Sequence, residues 1–244
     1  MNRTLGLVAV TGLGIGVVCL SLAWAIGGRD FRTMIAEDRF GWRSCDDGAV
    51  AAAGPERHLP WTGGDTIEVL TPVPLRLVAG DGSDVVMRGA PEAIGHLKLR
   101  GGKLLSCGRR SATGPVEIEL PARALRHVRI SGAGTVALEK LSQRELGLAI
   151  SGSGDIQAQG SVERVSADIS GSGNVRLADV TLKRLKTKIS GSGRVEAGPT
   201  DEADIRLSGA GTVKLLTRPA SLHTKVSGAG RILQPSVESA DKKL

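Results

Sequence analysis

A five-residue phrase returns six times in the second half of the chain, and it restricts what the rest can become. It runs from Ile130 to Gly134, Ile150 to Gly154, Ile169 to Gly173, Ile189 to Gly193, Leu207 to Gly211 and Val226 to Gly230. Its fixed members are Ser131, Gly132 and Gly134, then Ser151, Gly152 and Gly154, then Ser170, Gly171 and Gly173. They recur as Ser190, Gly191 and Gly193, as Ser208, Gly209 and Gly211, and as Ser227, Gly228 and Gly230. Only Ser or Ala stands between the two glycines, and successive serines lie 20, 19, 20, 18 and 19 residues apart. A period near twenty held over six copies marks a solenoid, in which each repeat stacks on its neighbours.

The flanking residues say which solenoid. Two places before the aliphatic residue stand Val128, Leu148, Ala167, Thr187, Ile205 and Thr224, and six places after it Val136, Ile156, Val175, Val195, Val213 and Ile232. The positions between are mostly polar, such as Arg129, Asp168, Lys188, Arg206 and Lys225 immediately before it. Alternation of period two means strand with one face buried. The pattern therefore predicts an all-β chain, a parallel β-helix with coils of about nineteen residues, each made of at least two short strands joined by the Ser-Gly-x-Gly bend. Stacked at about 4.8 Å, six coils span about 30 Å. Glycine suits the bend because it reaches positive φ and lets backbones approach. The serines are expected to form a hydrogen-bonded ladder from coil to coil.

Residues 65–120 lack the phrase but read as β structure. Thr66–Leu70, Leu75–Val78, Asp84–Met87, His96–Leu99, Lys103–Leu105 and Val116–Leu120 are short apolar or alternating runs separated by glycine and proline. They are expected to supply the first coils or a cap over the open end, with the regular coils starting near residue 121. At the other end, Pro235 and the polar tail to Leu244 should stop strand addition.

Leu5 to Ile26 carry no charge after Arg3. A stretch of that length can span a bilayer as one hydrophobic helix, and Ala23-Trp24-Ala25 also fits a signal-cleavage site. Both readings of residues 1–27 place the remainder in the envelope of a bacterial-type cell, facing the periplasm or the surface. Residues 28–62 read as a juxtamembrane segment and linker, with a short helix from Asp30 to Phe40 and breakers at Pro55 and Pro60. The solenoid then fills 63–234 and the tail 235–244. Cys45 and Cys107 either pair in one disulfide or remain thiols. No Cys/His spacing suggests a metal, and no cofactor motif stands in a fitting context.

The chain carries a net charge of +7, and between residues 121 and 234 seventeen Lys or Arg face ten Asp or Glu. That excess favours an anionic glycan or an acidic envelope protein as partner, or serves only as a solvated surface. Lys188, Arg206 and Lys225 share one register position on consecutive repeats and form a candidate contact stripe. All five aromatic residues precede residue 62, and no basic-aromatic motif for nucleic acid occurs. His127 and His223 share a register position, but five coils of about 4.8 Å keep them apart. No catalytic constellation emerges, so a polysaccharide-active enzyme ranks behind a binding module and behind a membrane-anchored structural or stress-related periplasmic domain.

Trp61-Thr-Gly-Gly-Asp65, Val116-Glu-Ile-Glu-Leu-Pro121 and the six Ser-Gly-Ser/Ala-Gly repeats together resemble the GIN domain, the head domain of autotransporter adhesins. The resemblance covers roughly residues 61–233. It implies a right-handed winding, a place in the bacterial cell envelope and no assigned catalytic residues.

Overall fold

The computed structural model describes residues 54–106 and 115–235. The N-terminal hydrophobic stretch, the Asp30–Phe40 helix, Cys45, Cys107 and the tail from residue 236 lie outside them. No helix among the described residues is long and apolar enough to cross a membrane.

The described chain is a β-solenoid of about five turns with almost no helix. Its strands in chain order are β1 (Glu56–Pro60), β2 (Thr66–Leu70), β3 (Leu75–Gly80), β4 (Asp84–Arg88), β5 (Leu97–Arg100), β6 (Lys103–Ser106), β7 (Val116–Pro121) and β8 (His127–Gly132). Then follow β9 (Thr135–Gly152), β10 (Asp155–Gly171), β11 (Asn174–Gly191), β12 (Arg194–Gly209), β13 (Thr212–Leu215), β14 (Ser221–Ser227) and β15 (Arg231–Leu233). One helix, α1 (Pro91–Gly95), and a 3-10 turn at Ala122–Leu125 interrupt them.

The coils differ from the expected pair of short strands. Each of β9 to β12 runs as one strand of 16 to 18 residues, with the register to its neighbours shifting at the bend in its middle. The bends away from Ser-Gly-x-Gly are absorbed locally, by Lys140 at φ 56° in β9 and Gly160 at φ 132° in β10. The Ser-Gly-x-Gly step is where the ladder pauses. There the backbone still bonds along the stack, Ser172 N–H donating to Gly152 O at 2.9 Å and Asn174 N–H to Gly154 O at 3.0 Å.

Parallel register aligns the repeats as their spacing requires. Ser131 pairs with Ser151, Ser151 with Ser170, Ser170 with Ser190, Ser190 with Ser208 and Ser208 with Ser227. The aliphatic residue preceding each of the first five serines points inward, with Ile130, Ile150, Ile169, Ile189 and Leu207 each no more than 2% exposed, whereas Val226 on the last coil is 44% exposed. Full burial of such a side chain contributes about 1.5–3 kcal/mol, so the interior columns are the main source of stability.

Thr71 and Thr187 are the buried polar residues among those described, and Thr71 accepts a hydrogen bond from Val73 N–H at 3.2 Å. Thr187 lies between Ala167 and Ile205 in its column, is fully buried, and its Oγ1 has no hydrogen-bond partner among the described residues. A buried hydroxyl left unpaired costs about 1–3 kcal/mol. Thr187→Val keeps the branched shape and removes the hydroxyl. It is expected to stabilise the fold by about 1 kcal/mol, read as a higher urea midpoint with unchanged slope. A lower midpoint would show that the hydroxyl is satisfied in solution.

The first layers are not in chain order. β2 and β3 form a layer on which β8 and the start of β9 stack, with Ile67 beside Val128 and Leu75 beside Val136. On the other side of that layer lie β6 and β7, which come later in sequence, with Val69 beside Leu104 and Leu77 beside Ile118. The 3-10 turn, with Ala124 and Leu125 fully buried, carries the chain from β7 back over to β8. Three antiparallel strands cover this end: β4 on β7, β1 on β4 and β5 on β6. Antiparallel edges of this kind prevent further parallel addition. Arg88 ties them, reaching Glu119 at 3.1 Å, Glu56 at 3.5 Å and Glu117 at 3.7 Å. Its hydrogen bond to Glu119 raises an already high pKa further.

Strand β1 lies in the stretch read from the sequence as linker. Pro55 and Pro60 are compatible with it because β1 is an edge strand paired only with β4, and proline is tolerated where no ladder hydrogen bond is required. Trp61, next in the chain, is buried in the core.

Candidate functional site

Alternation fixes which side chains face water. On the segment before each bend, the outward positions form four columns five, three and one places before the inward aliphatic residue and one place after it. The last of these is the serine column. Ser151, Ser170, Ser190, Ser208 and Ser227 are exposed, and none makes a side-chain hydrogen bond to a neighbouring coil. Only Ser131 among the six donates, to Glu68 Oε1 at 2.9 Å. The expected ladder is therefore absent. The reason is geometric: a residue next to an inward isoleucine must point outward, and hydroxyls on coils about 4.8 Å apart are too distant to bond one another.

The column one place before the aliphatic residue reads Arg129, Ala149, Asp168, Lys188, Arg206 and Lys225. The register thus sets Lys188, Arg206 and Lys225 side by side, and all three are exposed. Arg206 is also held by Asp204, at 2.9 Å. The sequence reading overlooked the other direction. Along β11, Arg184, Lys186 and Lys188 alternate on the outward face, so one strand presents three exposed cations about 6.8 Å apart. Their i, i+2, i+4 spacing was the available signal.

Two shallow depressions lie on this face. One, of about 570 Å³, is bordered by Arg129 and Lys188 and floored by small residues that include Ala149, Ser151 and Ser170. The other, of about 350 Å³, lies by Gly147 and Ser166 and is edged by Arg164, Arg184 and Lys186. Gly147 is needed there because the His127 ring lies where its side chain would be. The floor is low where Gly147 and Ser166 stand in the column of Lys186 and Ala149 in that of Lys188, while Asp168 keeps a charged side chain in the latter.

Both long faces carry mated and unmated charges. Beyond the bend, Arg76 pairs with Glu139 at 3.1 Å, Lys214 pairs with Glu196 at 2.7 Å and Asn174 donates to Asp155 at 2.7 Å, while Arg176, Arg194 and Arg231 form no ion pair among the described residues. Before the bend, Arg164 pairs with Glu145 at 2.6 Å and Arg206 with Asp204 at 2.9 Å, but Arg129, Arg184, Lys186, Lys188 and Lys225 form no ion pair among the described residues. No cluster of metal-ligating side chains occurs among the described residues. His127 approaches Asp65 at 4.0 Å and His223 contacts Ser221 at 3.2 Å, so the two histidines have separate surroundings.

Three comparisons bear on this architecture. No curated protein matches the sequence. Among solved structures, a "putative adhesin" from Bacteroides fragilis superposes with a TM-score of 0.57 at 16% identity, over 74% of this chain and 96% of that one. Another "putative adhesin", from Parabacteroides distasonis, gives 0.47 at 13% identity over 74% and 96%. A "putative lipid binding protein" of the same species gives 0.45 at 14% identity over the same shares. At these identities the first match supports the fold alone. The model of the family described as "Putative auto-transporter adhesin, head GIN domain" matches residues 66–219. That span is well over half of the chain and takes in the bend glycines of five of the six repeats, so the chain belongs to the GIN-domain family.

Proposed function

We propose that the chain is a non-catalytic recognition module of the bacterial cell envelope, which presents its pre-bend coil face to an anionic partner. The reading rests on one observation. On that face β11 presents Arg184, Lys186 and Lys188 from a single strand, all exposed and in no ion pair among the described residues. An exposed ion pair adds only about 0–1 kcal/mol to stability, so unmated cations cost the fold little and remain available to attract a ligand. Membership of a family named for an adhesin head agrees with recognition, and the adhesin description contains no catalytic activity. The uncharged stretch from Leu5 to Ile26 would deliver the solenoid to the envelope, as a cleaved signal or a retained anchor. In this reading the coils wind right-handed, the sense that parallel crossovers take.

Reversing Lys188, Arg206 and Lys225 together to Glu tests the reading. Binding to lipopolysaccharide at low salt is expected to fall at least about tenfold while circular dichroism stays unchanged. Raising the salt to a physiological level should weaken wild-type binding more than variant binding, because screening acts on the charge the variant lacks. Unchanged affinity in the reversed protein would sink the proposal.

A further inference from the structure

Arg129 and Lys188 stand at opposite ends of the larger trough, three coils or about 14 Å apart. Between them, in the same column, lies Asp168, exposed and in no ion pair among the described residues. A carboxylate is out of place if the trough has only to hold a polyanion, since it repels what the two cations attract. It fits a ligand that also carries hydroxyls. A carboxylate accepts hydrogen bonds, and Ser151 and Ser170 on the floor each donate and accept.

Resting on the reading above, we infer that the partner is a linear acidic polysaccharide lying parallel to the coil axis. Its acid groups meet Arg129 and Lys188, and the hydroxyls of the intervening sugars meet Asp168, Ser151 and Ser170. A polyphosphate chain or a lipid phosphate brings charge but no row of hydroxyls for Asp168 to accept from. All aromatic residues of the chain precede residue 62, so this face has no stacking platform and each sugar is held by polar contacts alone. Affinity should therefore grow with the number of sugars, until the oligomer spans the trough.

The experiment uses the full-length chain and its Asp168→Ala variant, with oligogalacturonates of two to eight units and inorganic polyphosphate of matched charge as probes in titration calorimetry. Asp168 is exposed, so the variant should fold like wild type. Hydrogen bonds to a charged group are worth about 1.5–3 kcal/mol, so the variant is expected to bind the eight-unit oligogalacturonate about tenfold or more weakly. The same variant should bind polyphosphate more tightly, because a repelling charge is gone. Opposite signs for the two probes support the inference. Unchanged or tighter binding of both probes by the variant overturns it and leaves a plain polyanion site. Wild type that binds polyphosphate but no oligogalacturonate overturns it as well. Wild type that binds neither probe at low salt removes the anionic-partner reading itself.

Discussion

Gly171→Ala is expected to destabilise the solenoid by at least about 3 kcal/mol, the sum of a strained backbone and a clash that cannot relax. Gly171 has φ +123°, a region that L side chains rarely adopt. An added Cβ would also be driven into the carbonyl oxygen of Gly152 on the preceding coil. That oxygen accepts the Ser172 N–H at 2.9 Å, so moving it away breaks a bond of the stack. The site is in the middle of the array, where coils on both sides depend on the contact. Gly173 two places on is crowded as well, since its Cβ would lie 2.6 Å from Ile150 Cγ2 and 2.8 Å from Gly154 O. Gly64→Ala is the control, because there an added Cβ would meet nothing within 4 Å. In thermal unfolding, Gly171→Ala should lower Tm by about 6–12 °C at 2–4 °C per kcal/mol, with Gly64→Ala near wild type. A shift of less than about 2 °C for Gly171→Ala would mean that the bend tolerates a side chain, and the account of the repeat would fail.

Those same glycines explain why the coil stack was legible in the sequence. A position that admits only glycine, repeated at a fixed interval beside an inward aliphatic residue, reports both the corner and the distance to the next coil. The strands at Thr66–Leu70 and Val116–Pro121 were legible from alternation alone. Their arrangement was not. Nothing local to Leu75–Gly80 distinguishes a neighbour at Val136 from one at Val116, and the chain uses both, one on each side. That choice depends on the path through residues 84–126, which no short-range pattern encodes. Strand β1 was hidden because the two prolines that argue against a central strand are permitted at an edge.

The candidate face was half legible. Register alone aligned Lys188, Arg206 and Lys225, but the partnership of Arg206 with Asp204 needed coordinates. Whether a charge is mated depends on what the neighbouring coil sets beside it. Arg164 meets Glu145, while Arg184, one coil on and in the same column, forms no ion pair among the described residues. The serine column carried its own warning, since alternation had already placed those hydroxyls in water.

Trp61→Ala is expected to cost about 3–5 kcal/mol, the usual range for truncating a buried aromatic residue, and the damage should start at the capped end. Trp61 is 8% exposed, its indole N–H donates to Gly64 O at 3.0 Å, and its ring lies against Gly63. Among the described residues it is the one aromatic side chain in a core otherwise built from aliphatic and small residues and Met87, so its loss leaves a cavity that no flexible neighbour of similar size can fill. The location makes the outcome differ from that of Gly171→Ala. In a stack where each coil interacts mainly with its neighbours, a lesion at one end lets that end open while the far coils hold. Hydrogen exchange should show amides of β2, β5 and β6 losing protection first, with β10 and β11 little changed until global unfolding. Gly171→Ala should instead raise exchange in β10 and β11 together. If Trp61→Ala loosened all coils equally, the solenoid would be one cooperative unit rather than a row of coupled layers, and the antiparallel cap would be holding the whole array shut.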